Sequence, residues 1–202
     1  MKSLREYVRN LILLECKAGE KRPGHGGASG ILLLCDDGTV FLQKRSASMK
    51  YGARKWAIPG GSLLRNEKAY KQPHATDPTY TLPIPPQYRR DDDDPLFWYG
   101  ANQEWQEETG FEPIRYGAIV ETHITECLGW KYKTFVCFIP EAAKKKKFMH
   151  AQPQPAYAHE IEKHQWMNEG EFKSVHRRNR LWNTSWPQDL LNIVYRHFKN
   201  YP

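Results

Sequence analysis

Gln103-Glu104-Trp105-Gln106-Glu107-Glu108-Thr109-Gly110-Phe111 is the stretch on which the fold of this chain turns. On a helix, Glu104, Glu107 and Glu108 fall at i, i+3 and i+4 and so share one face. Three like charges on one face repel, each close pair costing about 0.2–0.5 kcal/mol. A divalent cation removes that cost, and hard carboxylate oxygens suit Mg²⁺ or Mn²⁺. Taken alone, the segment reads first as an exposed acidic helix face, and only the upstream residues shift that weighing. Gly110 supplies the left-handed stop for the helix. Its start falls at Asp94-Pro95, where Asp94 can cap and proline fits the first helical position.

Working outward, the upstream pattern is one of strands. Ile31-Leu32-Leu33-Leu34-Cys35 is a continuous apolar run, as in a strand buried on both faces. Asp36-Asp37-Gly38-Thr39 is a hairpin turn, and Val40 to Lys44 is the returning strand. Trp56-Ala57-Ile58 reads as a short third strand, stopped by Pro59-Gly60-Gly61; glycine there lets backbone approach an ion or a phosphate. Downstream, residues 118–123 and 133–139 read as strands, and a further short one is expected at His164 to Met167. Apolar spacing predicts helices over 1–18 and 187–200. Strands mixed with two or three helices imply α/β layers on a mixed sheet, and the length of 202 residues suits a single domain.

Residues 68–95 differ in kind. They hold six of the fourteen prolines and the run Asp91 to Asp94. Proline removes backbone donors, so this segment is expected as an inserted surface loop.

With these residues in place, the chain resembles the Nudix hydrolase family. That family's box is Gly, five residues, Glu, seven residues, Arg-Glu, an apolar residue, any residue, Glu-Glu, any residue, Gly and an apolar residue. Here Gly61, five residues and Glu67 are followed, after a gap, by Gln103 to Phe111. The Trp-x-x-Pro-Gly-Gly lead-in is also typical of the family. Two departures stand out. The gap from 68 to 102 is 35 residues long where the family has seven. Loop lengthening costs little, since closure entropy grows only logarithmically. The second departure is Gln103 in place of the box arginine. Its amide can hydrogen-bond but carries no charge.

The resemblance implies a Nudix-type α/β/α sandwich with a mixed sheet, a long proline-rich insertion inside the box, and terminal helices. It implies metal-dependent cleavage of a nucleoside diphosphate linked to another group. Glu104, Glu107 and Glu108 would bind Mg²⁺ or Mn²⁺ with the carbonyl of Gly60, and Glu104 is also a candidate general base. Glu67 would brace the loop or complete the metal shell through water, and Gly61 and Gln103 would support the site. Many family members draw a further carboxylate from a later loop shortly before a tryptophan. Glu160 is the first choice for that role, as ligand or base, and Glu162 the second; both read equally as surface glutamates. Arg54 and Lys55 are weaker candidates for substrate contact. So are Trp130 and Tyr132, for which core packing or a hairpin contact is the preferred reading.

The chain carries 30 Lys plus Arg against 23 Asp plus Glu, a balance of +7. From Lys144 onward there are eleven basic and five acidic residues, so most of the excess is C-terminal. A one-sided positive field attracts phosphates. The Lys144 to Lys147 run by itself reads as an exposed turn. No stretch approaches the roughly 20 apolar residues of a membrane span. The four cysteines form no Cys-x-x-Cys pair, and Cys35 and Cys137 read as buried hydrophobes, which suits a reducing, cytoplasm-like compartment. The partners expected are a nucleotide-type small molecule, with RNA and capped RNA as the alternative, a second copy of the chain as a homodimer, and no membrane. A non-catalytic Nudix-fold binding module is the other class of reading.

Overall fold

The computed structural model describes residues 27–63, 94–111, 118–127, 130–182 and 186–202. The helix expected over 1–18, Glu67 and the 68–93 part of the insertion lie outside the described residues. Along the chain come β1 (Gly27–Cys35), β2 (Thr39–Arg45), β3 (Trp56–Ala57) and β4 (Gly60–Ser62). Helix α1 (Asp94–Thr109), β5 (Ala118–Cys127), β6 (Trp130–Ile139) and α2 (Glu141–Lys147) follow. The order ends with β7 (Ile161–Met167), α3 (Glu169–Arg177) and α4 (Gln188–Asn200).

All nine residues of β1 are buried, because both of its faces are covered. Leu32 and Leu34 point to one side and meet Phe172 of α3 and Leu190, Val194 and Phe198 of α4. Ile31, Leu33 and Cys35 point to the other and meet Phe97, Trp98, Ala101 and Trp105 of α1, with Phe148 after α2. The period of two along the strand therefore feeds two cores, and the architecture is an α/β/α sandwich. Each large apolar side chain buried in this way contributes about 1.5–3 kcal/mol.

The sheet is mixed. β1 runs parallel to β6 along its whole length, from Gly27↔Lys131 to Cys35↔Ile139, and the other pairings are antiparallel. The second edge of β1 is shared: Ala28 to Gly30 pair with β4, and Leu33 to Cys35 pair with β2. β2 is shared in the same way, giving Thr39 to Phe41 to β1 and Gln43 and Lys44 to β3, while β7 takes its far edge. β1 and β2 thus splay like a fork, and the segment from Trp56 to Ser62 fills the gap. The Ile31 N–H donates to the Pro59 carbonyl (3.0 Å) inside the fork.

Four local expectations are corrected. β1 opens at Gly27, four residues ahead of the apolar run Ile31 to Cys35 from which the strand was read, because β6 and β4 pair its first half. Gly60 and Gly61 are themselves strand residues, recruited by β1. The Lys144 to Lys147 run is helical and Lys144 is buried, its Nζ donating to Asp37 (2.5 Å) and Thr39 (2.8 Å) and lying over the Trp166 ring. Helix α3 is not among the expected elements, although its capping box is legible: the Asn168 side chain accepts from the Glu171 N–H, and the Glu171 side chain accepts from the Asn168 N–H.

Candidate functional site

Helix α1 carries the acidic residues, and its sequence explains how it sits. Trp98, Ala101 and Trp105 bury one stripe against β1 and β6, with Trp98 edge-on to Phe135 (4.9 Å between ring centroids). This anchoring turns Glu104, Glu107 and Glu108 toward the forked end of the sheet. The helix stops at Gly110, whose φ of 69° is left-handed. The last carbonyls are capped by chain that follows much later: the Gln154 N–H donates to the Glu107 carbonyl (2.9 Å) and the Gln152 N–H to the Thr109 carbonyl (2.8 Å). The His164 ring lies near the Glu108 backbone, and burial, opposed by that backbone, holds this histidine neutral, down to about 4.

Glu108 is fully enclosed. Its Oε2 accepts from Gln43 Nε2 (2.7 Å) and from the Gly60 N–H (2.7 Å). Helix, β2 and β4 are therefore tied through one carboxylate oxygen. Burial raises its proton affinity to about 7, against the pull of Gly60, Gln43 and Arg45. Glu104 is half-buried and lies directly against Gly61: a methyl group built there would stand 2.3–2.4 Å from its carboxyl atoms. Among the described residues Glu104 makes no hydrogen bond. Burial, then Glu108, Glu107 and Glu160, push it up to about 9, with Arg45 opposing. Glu107 accepts from Gln103 Nε2 (3.1 Å), and its charge reaches Tyr157, whose hydroxyl is raised by burial and then by this charge.

Glu160 comes from the turn before β7 and enters the same electrostatic neighbourhood as Glu104, with a side chain 30% exposed. Glu162 points elsewhere and pairs with Lys44 (2.5 Å). Gly60 joins the site through its N–H, which donates to Glu108. Arg54 is exposed, and Lys55 is drawn to the Asn179 carbonyl. Tyr132 is buried, its hydroxyl beside Gly30 and Gly60, where burial and the carboxylates raise its pKa. Trp130 opens β6 opposite Cys127.

Other participants were missed in the sequence. Gln43 and His164 lie on adjacent strands in register, and only the β2–β7 pairing brings them to Glu108. Arg45 follows an irregularity in that pairing and is buried, its guanidinium 4.6 Å from the Trp182 ring and its Nε donating to Tyr51 O (3.3 Å). Tyr157 sits in an irregular loop with no periodicity to mark it.

Among the described residues, no three acidic, histidine or cysteine side chains are arranged to hold a metal ion as they stand. Glu107 is turned to Gln103 and Tyr157, and Glu108 to Gln43 and Gly60. The donor set nonetheless fits a hard cation. It offers carboxylate oxygens, those of Glu104 making no hydrogen bond among the described residues, and their mutual repulsion is what a divalent ion relieves.

The arrangement of this core matches known structures. A crystal structure of a NUDIX hydrolase from Alicyclobacillus acidocaldarius superposes with a TM-score of 0.59 at 12% identity, over 89% of this chain and 93% of that one. The fold is the Nudix fold. A bifunctional NMN adenylyltransferase/ADP ribose pyrophosphatase from Francisella tularensis, complexed with AMP and Mn ion, shares the Nudix fold at a TM-score of 0.52 and 13% identity. That match covers 96% of this chain and 47% of the other, so the chain spans about half the length of that protein. No family model matches the chain, and no curated protein matches it by sequence. No helix among the described residues is long and apolar enough to cross a membrane. Cys35 and Cys137 are free and buried, and burial raises both thiols.

Proposed function

We propose that this chain hydrolyses a phosphoanhydride bond in a nucleoside diphosphate linked to another moiety, with Mg²⁺ or Mn²⁺ as the metal. The observation that carries this reading is the gathering of Glu107, Glu108 and Glu160 around Glu104, with Glu108 and Glu104 set against Gly60 and Gly61 of β4. Four carboxylates at one place are costly without a cation, and a pyrophosphate needs a cation for charge neutralisation. The Nudix fold and the metal- and AMP-bound relative from Francisella tularensis support the same reading.

Glu104, Glu107 and the free oxygen of Glu108 would hold the metal, which when bound supplies Lewis acidity and lowers the pKa of a water. The protein's own residues do the positioning. Gln43 and the Gly60 N–H fix the Glu108 carboxylate, so it contributes orientation more than mobility. Gln103 holds Glu107 with a hydrogen bond where the family has a charge. Tyr157 lies near the same carboxylate from the opposite loop. Glu160 faces the helix from across the site and keeps solvent access, so we assign it the proton from the attacking water. Arg45, itself buried, balances part of the acidic charge.

A screen with Mg²⁺ and Mn²⁺ against nucleotide sugars, dinucleotides, nucleoside triphosphates and capped RNA tests this function. Hydrolysis lost in Glu107→Gln and Glu160→Gln, with unchanged melting, is the expected result. Absence of turnover on every compound would favour the binding-module reading.

A further inference from the structure

Two exposed turns on this molecule share a feature found nowhere else among the described residues. Arg54 (φ 60°) and Asn179 (φ 52°) are the non-glycine residues with left-handed backbone. An arginine in that conformation is strained, whereas glycine adopts it freely. The two turns are latched together. Lys55 Nζ donates to the Asn179 carbonyl, the Trp56 N–H donates to the Arg180 carbonyl (2.7 Å), and the Trp182 N–H returns to the Trp56 carbonyl (2.9 Å).

The latch gathers basic residues from separate parts of the chain. Arg54, Arg177, Arg178 and Arg180 are all exposed, and among the described residues none makes a side-chain hydrogen bond or ion pair. Lys163 joins them over the Trp56 ring (5.1 Å). The contrast with other cations is informative: Lys44, Lys144, Lys145 and Lys173 each pair with a carboxylate. The acidic group within reach of Arg54 is Glu162, already committed to Lys44. Beside this cluster, Tyr51 is 59% exposed, the largest exposure of any large hydrophobic side chain described. Its backbone carbonyl is held by Arg45, so the ring is presented from a fixed turn. Unpaired guanidinium groups suit phosphates, and an exposed aromatic ring beside them suits an unstacked base.

We propose that the Tyr51–Lys55 and Arg178–Arg180 turns form a binding surface for single-stranded nucleic acid, the arginines on phosphates and Tyr51 on a base. A free phosphate chain would use the arginines and leave Tyr51 without a role. The surface adjoins the carboxylate site through residues 45 and 46, where the Ser46 N–H donates to the Glu160 carbonyl (2.8 Å). Binding here does not depend on hydrolysis at that site.

The test is fluorescence anisotropy in metal-free buffer, using a labelled single-stranded RNA of about twelve nucleotides, between about 50 and 200 mM salt. Arg54→Gly is the cleanest variant, since glycine relieves the backbone strain while removing the charge. It is expected to melt no lower than the parent and to reduce the logarithmic salt slope by about 0.7. The Arg178→Ala/Arg180→Ala pair is expected to reduce it by about 1.4. Tyr51→Ala is expected to weaken binding about tenfold with the slope unchanged. Lys145→Ala, on α2, is expected to leave binding as it was. Parent-like binding in Arg54→Gly and in the arginine pair would overturn the proposal. So would equal competition by inorganic polyphosphate together with a silent Tyr51→Ala, which would show a surface for phosphate charge alone.

Discussion

Gly61→Ala separates the site from the fold. A Cβ at residue 61 would stand 2.3 Å from Glu104 Cδ and 2.4 Å from each carboxylate oxygen. Ordinary contact begins near 3.4 Å, so the carboxylate must retreat by about 1 Å. The obstructing atoms are the far end of a flexible side chain, which moves at a cost of about 0.5–1.5 kcal/mol for an off-rotamer angle. Alanine also restricts the unfolded chain, which returns about 0.4–1 kcal/mol. Net stability should change by under about 1 kcal/mol, or no more than about 4 °C in Tm for a chain of this size. Misplacing a reacting group by about 1 Å costs on the order of 100-fold in rate. The neighbouring Gly60→Ala is the control, because its Cβ would meet backbone, Ser29 O at 2.4 Å and Gly30 Cα at 2.5 Å. Backbone cannot swing aside, so that variant should lose about 1–3 kcal/mol or more. Urea unfolding and metal-dependent turnover of both variants are the assay. Parent-like turnover by Gly61→Ala would refute the placement of Glu104 in the site, and a fully stable Gly60→Ala would refute the packing of the fork.

Further outcomes follow from the same contacts. Glu108→Gln keeps an acceptor for Gln43 and Gly60 and removes a buried charge, so urea melts should show equal or greater stability while turnover falls at least about 100-fold. Asp37 is held at about 2: burial pushes it up, but Lys144 and Thr39 bind its ionised form more strongly. A depressed folded-state pKa means that this stabilisation is complete above the unfolded value near 4 and is lost as pH falls toward 2. Unfolding curves from about pH 5 to 2 should show that loss, and Lys144→Met should flatten it. Asn168→Ala removes the capping box of α3, and should cost about 1 kcal/mol by denaturant titration, with activity retained.

The strands, α1 and its stop at Gly110 were legible because each rests on local rules. An apolar run of Ile31 to Cys35 has to be buried on both sides, and a glycine after a helical pattern ends it by its freedom at positive φ. The spacing of Glu104, Glu107 and Glu108 on one helix face is likewise local geometry. Lys144 shows where local rules fail. Within its run it is one lysine of four, and only the Asp36-Asp37 turn of a distant hairpin supplies the carboxylate that draws it inside. Gln43, Arg45 and His164 were invisible for a related reason. Each is an ordinary strand residue until the β2–β7 register sets it beside Glu108.

What the sequence determined by itself was the apolar strands, the acidic helix with its glycine stop and the C-terminal helix, since backbone preference and hydrophobic period act over a few residues. The tertiary structure decided what those carboxylates meet. The fork between β1 and β2 admits the Trp56 to Ser62 segment, which brings the Gly60 N–H to Glu108 and Gly61 against Glu104. It also set Glu160 toward the helix and Glu162 away from it, because side chains two apart on a regular strand share a face, whereas Glu160 lies in the turn before β7 begins. Sequence distance carries no information about such meetings; the pairing of strands does.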